Sequence, residues 1–332
     1  MNETKKTRSH VAGWLLLPLA ALVWPFSTPA AEYPSRPLRL VVTFPPGGSA
    51  DFQARIIGPK LTEQMQQQVV VDNRPGGGGV IALELVAKSA ADGYTLLLGP
   101  SSALAVNPNL FAKLPYDPIK DFAPISMTSR VTLALVAGPS LPANSVKELI
   151  ALAKASPGKI TYGSTGIGGV AHLAGEMLKS TAGVDMIHVP YKGAGPQLVD
   201  MMSGNVAVGF VSLTSAIPHL RAGRIKVLAV TTSKRSSAAP DVPTVSEAGM
   251  PGLEIATGWF GILGPARTPK AIVSRLNSEI VRLIQSRDVQ ERFLAQGLDP
   301  ATSTANEFAA FIASSRAKWA EVVKQTGVRV EQ

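Results

Sequence analysis

The chain has no cysteine among its 332 residues. A disulfide, a thiolate metal ligand, a thiol nucleophile and a lipid-bearing N-terminal cysteine are therefore all excluded, and stability must come from packing. Histidine is scarce too. Beyond His10 there are only His172, His188 and His219, no H-E-x-x-H motif occurs, and the acidic residues do not cluster at calcium-loop spacing. Neither a zinc nor a calcium centre is expected. A G-x-x-x-x-G-K-[ST] phosphate loop is also missing. Aromatic residues make up 6% of the chain, too few to suggest a sugar-stacking cleft. The chain is expected to work without metal or cofactor.

Nor is there an apolar run long enough to span a bilayer at the N-terminus. The stretch from Val11 to Trp24 is 14 residues, against the roughly 20 that a spanning helix needs. Lys5, Lys6 and Arg8 precede it, and small residues at Thr28, Ala30 and Ala31 follow. That three-part layout predicts a secretory signal peptide over residues 1–31, cut after Ala30 or Ala31, and hence an exported, unanchored, periplasmic protein.

Removing Lys5, Lys6, Arg8 and Glu3 lowers the formal charge from +9 to +7. The remaining basic residues are scattered and not interleaved with aromatics, which argues against nucleic acid. A moderately basic surface suits the approach of an anion.

About 300 mature residues exceed what one core usually organises, so two lobes are expected. From Leu38 onward short β-branched runs alternate with segments of helical period, the pattern of an α/β fold with largely parallel sheets. Strands are expected at Leu38–Phe44, Val69–Val71, Tyr94–Leu98, Thr132–Ala137, Ile160–Tyr162, Met186–Val189, Val206–Val211, Ile225–Val230 and Glu254–Leu263. A helix from about Asp51 to Gln67 aligns Phe52, Ile56, Leu61 and Met65. Ser145-x-x-Glu148, Thr244-x-x-Glu247 and Thr304-x-x-Glu307 each fit a capping box, and Thr268-Pro269 fits an N-cap with proline at the first helical position. Residues Pro269 to Val323 should be mostly helical. Proline-rich stretches at Leu114–Pro118 and Ser236–Pro243 look like the approaches to two lobe crossings.

Three glycine-rich stretches each follow a strand and precede a helix: Phe44–Asp51, Arg74–Gly79 and Tyr162–Gly169. Exposed N–H groups at a helix start attract carboxylate or phosphate without a charged side chain. The third stretch formally matches a dinucleotide fingerprint through Gly166-x-Gly168-x-x-Ala171, but Asp185 precedes a strand where the fingerprint's acid should end one. An exported hydrolase using Ser164 is the enzyme alternative. Against it, Tyr162 stands where G-x-S-x-G needs glycine, and His172 lies two helical turns from the serine.

Taken in order, Phe44-Pro-Pro-Gly-Gly-Ser-Ala-Asp51, Asn73-Arg-Pro-Gly76, Asp92-Gly-Tyr-Thr-Leu96, Leu114-Pro-Tyr-Asp-Pro118, Tyr162-Gly-Ser-Thr-Gly166, His172-Leu-Ala-Gly175, His188-Val-Pro-Tyr-Lys-Gly193 and Asp241-Val-Pro-Thr244 with Glu247-Ala-Gly249 resemble the Bug or TctC family. These are substrate-binding proteins of tripartite tricarboxylate transporters. The resemblance runs from about Tyr33 to the C-terminus. It implies a two-lobed type II periplasmic binding fold, with residues 32–130 and 256–332 in one lobe, 131–255 in the other, and two hinge crossings. It also implies a monomer that is no enzyme, closes on a small organic acid and delivers it to large and small permease subunits. A sensor reporting to a receptor kinase is a further alternative.

Carried over by motif, the first lobe's ligand contacts would be Phe44, Pro45, Gly47, Gly48, Ser49, Asp51, Ser101 and Ser102. The second lobe's would be Ser164, Thr165, Gly166, Gly168, His172 and Tyr191. Two departures stand out. Gly169 and Val170 replace the serine common after the third loop, and Ala207-Val-Gly-Phe-Val211 lacks the two acids many members carry there, so citrate-like specificity does not carry over.

Overall fold

The computed structural model describes residues 1–3 and 33–328. The expected signal peptide lies outside the described residues, apart from the first three. No helix among the described residues is long and apolar enough to cross a membrane.

The chain first builds β1 (Leu38–Val42), α1 (Ser49–Met65), β2 (Val69–Asn73), α2 (Val80–Ala87) and β3 (Thr95–Pro100). A π-helical turn at Ser102–Val106 and the short α3 (Asn107–Leu110) lead to β4 (Phe122–Val131). One residue later the chain enters a second sheet through β5 (Leu133–Ala137). There it adds α4 (Val146–Ala155), β6 (Thr161–Ser164), α5 (Val170–Ala182), β7 (Ile187–Pro190) and α6 (Ala194–Met202). This half closes with β8 (Val208–Ser212), α7 (Leu213–Arg221) and β9 (Lys226–Val230). The chain then returns to the first sheet through β10 (Gly258–Pro265), followed by α8 (Lys270–Gln285), α9 (Arg287–Leu294), β11 (Leu298–Pro300) and α10 (Ala305–Thr326).

The first sheet runs β11-β4-β10-β3-β1-β2 and the second β7-β6-β8-β5-β9. The result is a two-lobed α/β fold in which the chain crosses between sheets twice. Central strands such as Leu38–Val42 and Leu133–Ala137 are apolar almost throughout and buried along nearly their whole length, as expected of strands covered by helices on both faces.

The expectation of largely parallel sheets needs correction. β1 is parallel to β2 and β3, and β6 to β7 and β8, but β10 is antiparallel to β3 and β4, β11 to β4, and β5 to β8 and β9. The crossings account for much of this. β4 leaves the first sheet for the second and β10 comes back, so the two meet head to tail.

Several boundaries also move. The Glu254–Leu263 strand divides into a 3₁₀ turn at Leu253–Ala256 and β10. The segment from Phe122 belongs wholly to β4, whose Ser126, Thr128 and Ser129 disguised it. These hydroxyls are buried because they have distant partners. Thr128 Oγ1 and Ser129 Oγ each donate to Gln53 Oε1 at 2.9 Å, and Ser126 Oγ donates to the Ser303 carbonyl at 3.0 Å. Thr304 and Glu307 form the expected capping box. Thr244 and Glu247 exchange the same two bonds but close only a turn, since Gly249 takes a φ of 83° and Pro251 follows. At Ser145 the box is half formed: the Ser145 side chain accepts from Glu148 N, while Glu148 reaches back to the N–H of Asn144. Thr268 does not cap α8; its hydroxyl donates to the Pro265 carbonyl at 2.7 Å.

α10 seals the first sheet. Trp259 on β10 meets Phe308 and Phe311 edge-on at 5.6 and 5.5 Å, and its indole N–H donates to Ser315 Oγ at 3.1 Å. The approach of α10 requires glycine at 261, where a methyl would overlap the fully buried Phe308 ring and lie 2.9 Å from the Ser126 carbonyl oxygen. Gly261→Ala is therefore expected to destabilise the protein by about 1–3 kcal/mol through overpacking. Urea unfolding should show a lower midpoint at an unchanged slope.

Candidate functional site

Loops at the carboxyl ends of strands in both sheets enclose one cavity of about 840 Å³, counting its open mouth. β1 feeds the loop before α1, β6 the loop before α5 and β7 the loop before α6; β3 and β8 deliver Ser101, Ser102, Ser212 and Ser215. Ligands of α/β sheets bind outside strand carboxyl ends because the following loops open there. The lobes meet around this cavity. A Cβ on Gly193 would lie 3.0 Å from Pro45 Cγ, one on Gly168 would lie 3.2 Å from Leu110, and Thr214 Oγ1 donates to the Gln296 carbonyl at 2.7 Å.

The wall is chemically unusual. Among the described residues, no Lys, Arg, His, Asp or Glu lines it. Its polar side chains are the hydroxyls of Ser49, Ser101, Ser102, Thr165, Ser212 and Ser215, and its apolar face includes Phe44, Val131, Leu133, Trp259 and Phe260. Three helices begin at the cavity with glycine at the N-cap: Gly48 for α1, Gly169 for α5 and Gly193 for α6. None has a side-chain cap. Their first N–H groups thus lack side-chain acceptors at the cap, and each N-terminus carries the positive end of a helix dipole. α7 differs, because Ser212 caps it by accepting from Ser215 N. Ser102 Oγ is buried on this wall without a hydrogen-bond partner.

Of the residues singled out from sequence, Phe44, Pro45, Gly48, Ser49, Ser101, Ser102, Thr165 and Gly166 line the cavity. Gly47, Asp51, Ser164, Gly168, His172 and Tyr191 do not; they shape the loops behind it. Gly47 and Gly168 hold φ values of 91° and 75°, which glycine alone adopts readily. Asp51 accepts from the Gly47 N–H at 3.1 Å, Asn73 Nδ2 at 3.2 Å and Arg55 Nε at 2.8 Å. Its burial favours the neutral acid, but Arg55, Gly47 and Asn73 together outweigh that and hold the carboxyl below its ordinary value. Tyr191 donates its hydroxyl to Asp200 at 2.7 Å, and burial with that carboxylate pushes the phenol up to about 12.

Ser164 is fully buried, and its partner is His188 rather than His172: Oγ to Nε2 is 2.7 Å. This pairing escaped the sequence because the two residues sit on neighbouring strands, with Tyr162 opposite His188 and Ser164 opposite Pro190. The sequence reading also missed the α6 start at Gly193–Gly195, the Ser212–Ser215 pair and the Trp259–Phe260 floor. Gly193 lay within a quoted motif and could have been found; the others carry no local signal.

The chain matches the tripartite tricarboxylate transporter family receptor (TctC) over residues 53–328. It is 42% identical to protein BugT of Bordetella pertussis over 303 residues, 91% of this chain and 93% of that one. Among solved structures, R. palustris Rpa4515 with adipate superposes with a TM-score of 0.87 at 36% identity, over 90% of this chain and 99% of that one. MatC from Rhodopseudomonas palustris with bound malate gives 0.81 at 30% identity, over 88% of this chain and all of that one. The chain belongs to this receptor family, whose members are substrate-binding proteins and not enzymes.

Asp51→Asn is expected to lower stability at pH 7 by about 1 kcal/mol, the exposed Arg55 partner limiting the loss. A carboxyl held low in the fold adds stability that is present above its unfolded value of about 4 and lost as pH falls through the folded value. Urea titrations should therefore show the gap between variant and parent closing in acid.

Proposed function

We propose that this receptor-family member is exported to the periplasm, takes a small organic carboxylate between its two lobes, and delivers it to the large and small permease subunits of a tripartite tricarboxylate transporter. The observation that carries the reading is the cavity wall: three helix N-termini without side-chain caps, six hydroxyls and no ionised side chain. Such a wall stabilises an anion through backbone dipoles and N–H groups. Among the described residues it offers a cation no carboxylate to pair with. The adipate and malate bound by Rpa4515 and MatC support the same ligand class.

The lobes we assign are residues 32–130 with 256–332, and 131–255. They hinge where the chain crosses between sheets. Contacts such as Pro45 with Gly193 and Leu110 with Gly168 span the cleft. A ligand touching both lobes favours the closed form by its differential contacts with it. Ser164 serves this site from behind the wall and not as a nucleophile, since it is buried outside the cavity.

Thermal-shift measurements on the mature chain with adipate, malate, citrate and benzoate test the proposal. At least one acid should raise Tm by several degrees near a hundredfold excess over Kd, and its methyl ester should not. No shift with any acid, or an equal shift with the ester, would sink the carboxylate reading. Ser102→Ala should weaken the bound acid about tenfold by calorimetry, since the acid then loses a buried hydroxyl that has no partner within the protein and is free to donate to it.

A further inference from the structure

We infer that His172 and His188 form a neutral clip that sets the shape of the Ser164–Gly169 loop, and so act as positioning residues for ligand without touching it. This rests on the proposed function, because the loop supplies Thr165, Gly166, Ile167 and Gly169 to the cavity and begins α5.

The clip holds the loop at two points. At its start, Ser164 Oγ lies 2.7 Å from His188 Nε2, 3.1 Å from the Gly166 carbonyl oxygen and 3.4 Å from the Gly166 N–H. Near its end, the Gly168 N–H donates to His172 Nδ1 at 3.2 Å. Between them Gly166 and Gly168 adopt φ values of 146° and 75°. The two imidazoles stack with centroids 4.0 Å apart, 14° from parallel, and His188 stacks in turn on Tyr162 at 4.8 Å. Neither histidine lines the cavity.

Chemistry fixes the protonation state that this arrangement needs. An Nδ1 that accepts a hydrogen bond carries no proton, so His172 is neutral with its proton on Nε2. Two imidazolium rings could not share a 4.0 Å stack in a buried setting. Burial lowers the proton affinity of both rings, and for His188 the neighbouring His172 adds to it, taking it down to about 4. The other ionisable groups facing the pair are Glu176 and Lys179 on α5 and Tyr162 on β6. Glu176, which accepts from the Tyr162 hydroxyl and pairs with Lys179, favours the charged form of both rings, but burial outweighs it.

The sign of the pH effect follows. Both histidines have lower proton affinity in the fold than in the unfolded chain, so the unfolded state takes up protons first. The clip's contribution is complete above about pH 6.5 and declines as pH falls toward the folded values.

Nitrogen NMR of the histidine rings in the full mature chain reads the clip directly. His172 should show an unprotonated Nδ1 at pH 7; a protonated Nδ1 there would overturn the inference. His172→Phe and His188→Phe keep a ring in the stack but remove the polar contacts. Each should speed amide exchange of loop residues, Gly168 most in His172→Phe. By calorimetry each should weaken adipate about tenfold, the equivalent of one lost hydrogen bond. Ser164→Ala combined with His188→Phe should be no worse than either alone. In urea unfolding, His188→Phe should lose less stability than the parent as pH falls from about 6.5 to about 4, because it lacks the ring that takes up a proton on unfolding there. Parental loop exchange and parental adipate affinity in both variants would refute the clip. If adipate does not bind the parent, the affinity measurements pass to whichever of malate, citrate and benzoate does; if none does, the carboxylate reading is lost, while ring tautomer and loop exchange still decide the clip.

Discussion

Among the described residues no ionised side chain faces the cavity, so an anion there can be held only with dipoles, and that constraint orders the rest of this structure. Dipoles are weak and directional, so they must be fixed in advance and converge. Strand ends in two sheets provide the fixed points, and glycine at the caps of α1, α5 and α6 leaves the first N–H groups open. A serine, threonine or aspartate at those caps would fill them from within. Glycine therefore has a chemical role here as well as a conformational one.

Keeping the wall neutral moves charge and polarity to the layer behind it. Asp51 ties Gly47, Asn73 and Arg55 together under the first loop, and the Ser164–His188–His172 assembly does the same under the third. Each arrangement uses a group whose protonation state is set by its surroundings: an aspartate held ionised and two histidines held neutral. Six residues that the family resemblance offered as contacts belong to this supporting layer or to the turns it holds. They matter to the cavity's shape without forming its surface.

Much of the fold was legible in order, since short β-branched runs and helical periods each announce themselves within a few residues. The strands expected at Thr132–Ala137 and Ile225–Val230 appear within a residue of their predicted starts. What failed to read was whatever depended on a distant partner. β4 hid because Ser126, Thr128 and Ser129 look like loop residues until Gln53 and Ser303 arrive to satisfy them. The Thr244–Glu247 box is locally perfect, yet it caps no helix, because glycine and proline a few residues on prevent the second turn.

The sequence by itself determined the absence of thiol chemistry, the alternation of strands and helices, and the glycine-rich turns that leave helix starts open, because each is a property of residues within one or two turns of chain. Its ordered motifs carried the family likeness as well. Only the tertiary structure decided strand direction, which turn residues face the cavity, and the partner of Ser164. Those depend on register and on the two crossings between sheets, which bring His188 beside a serine 24 positions away and set Trp259 in the floor of a cavity whose other wall is built from the second lobe.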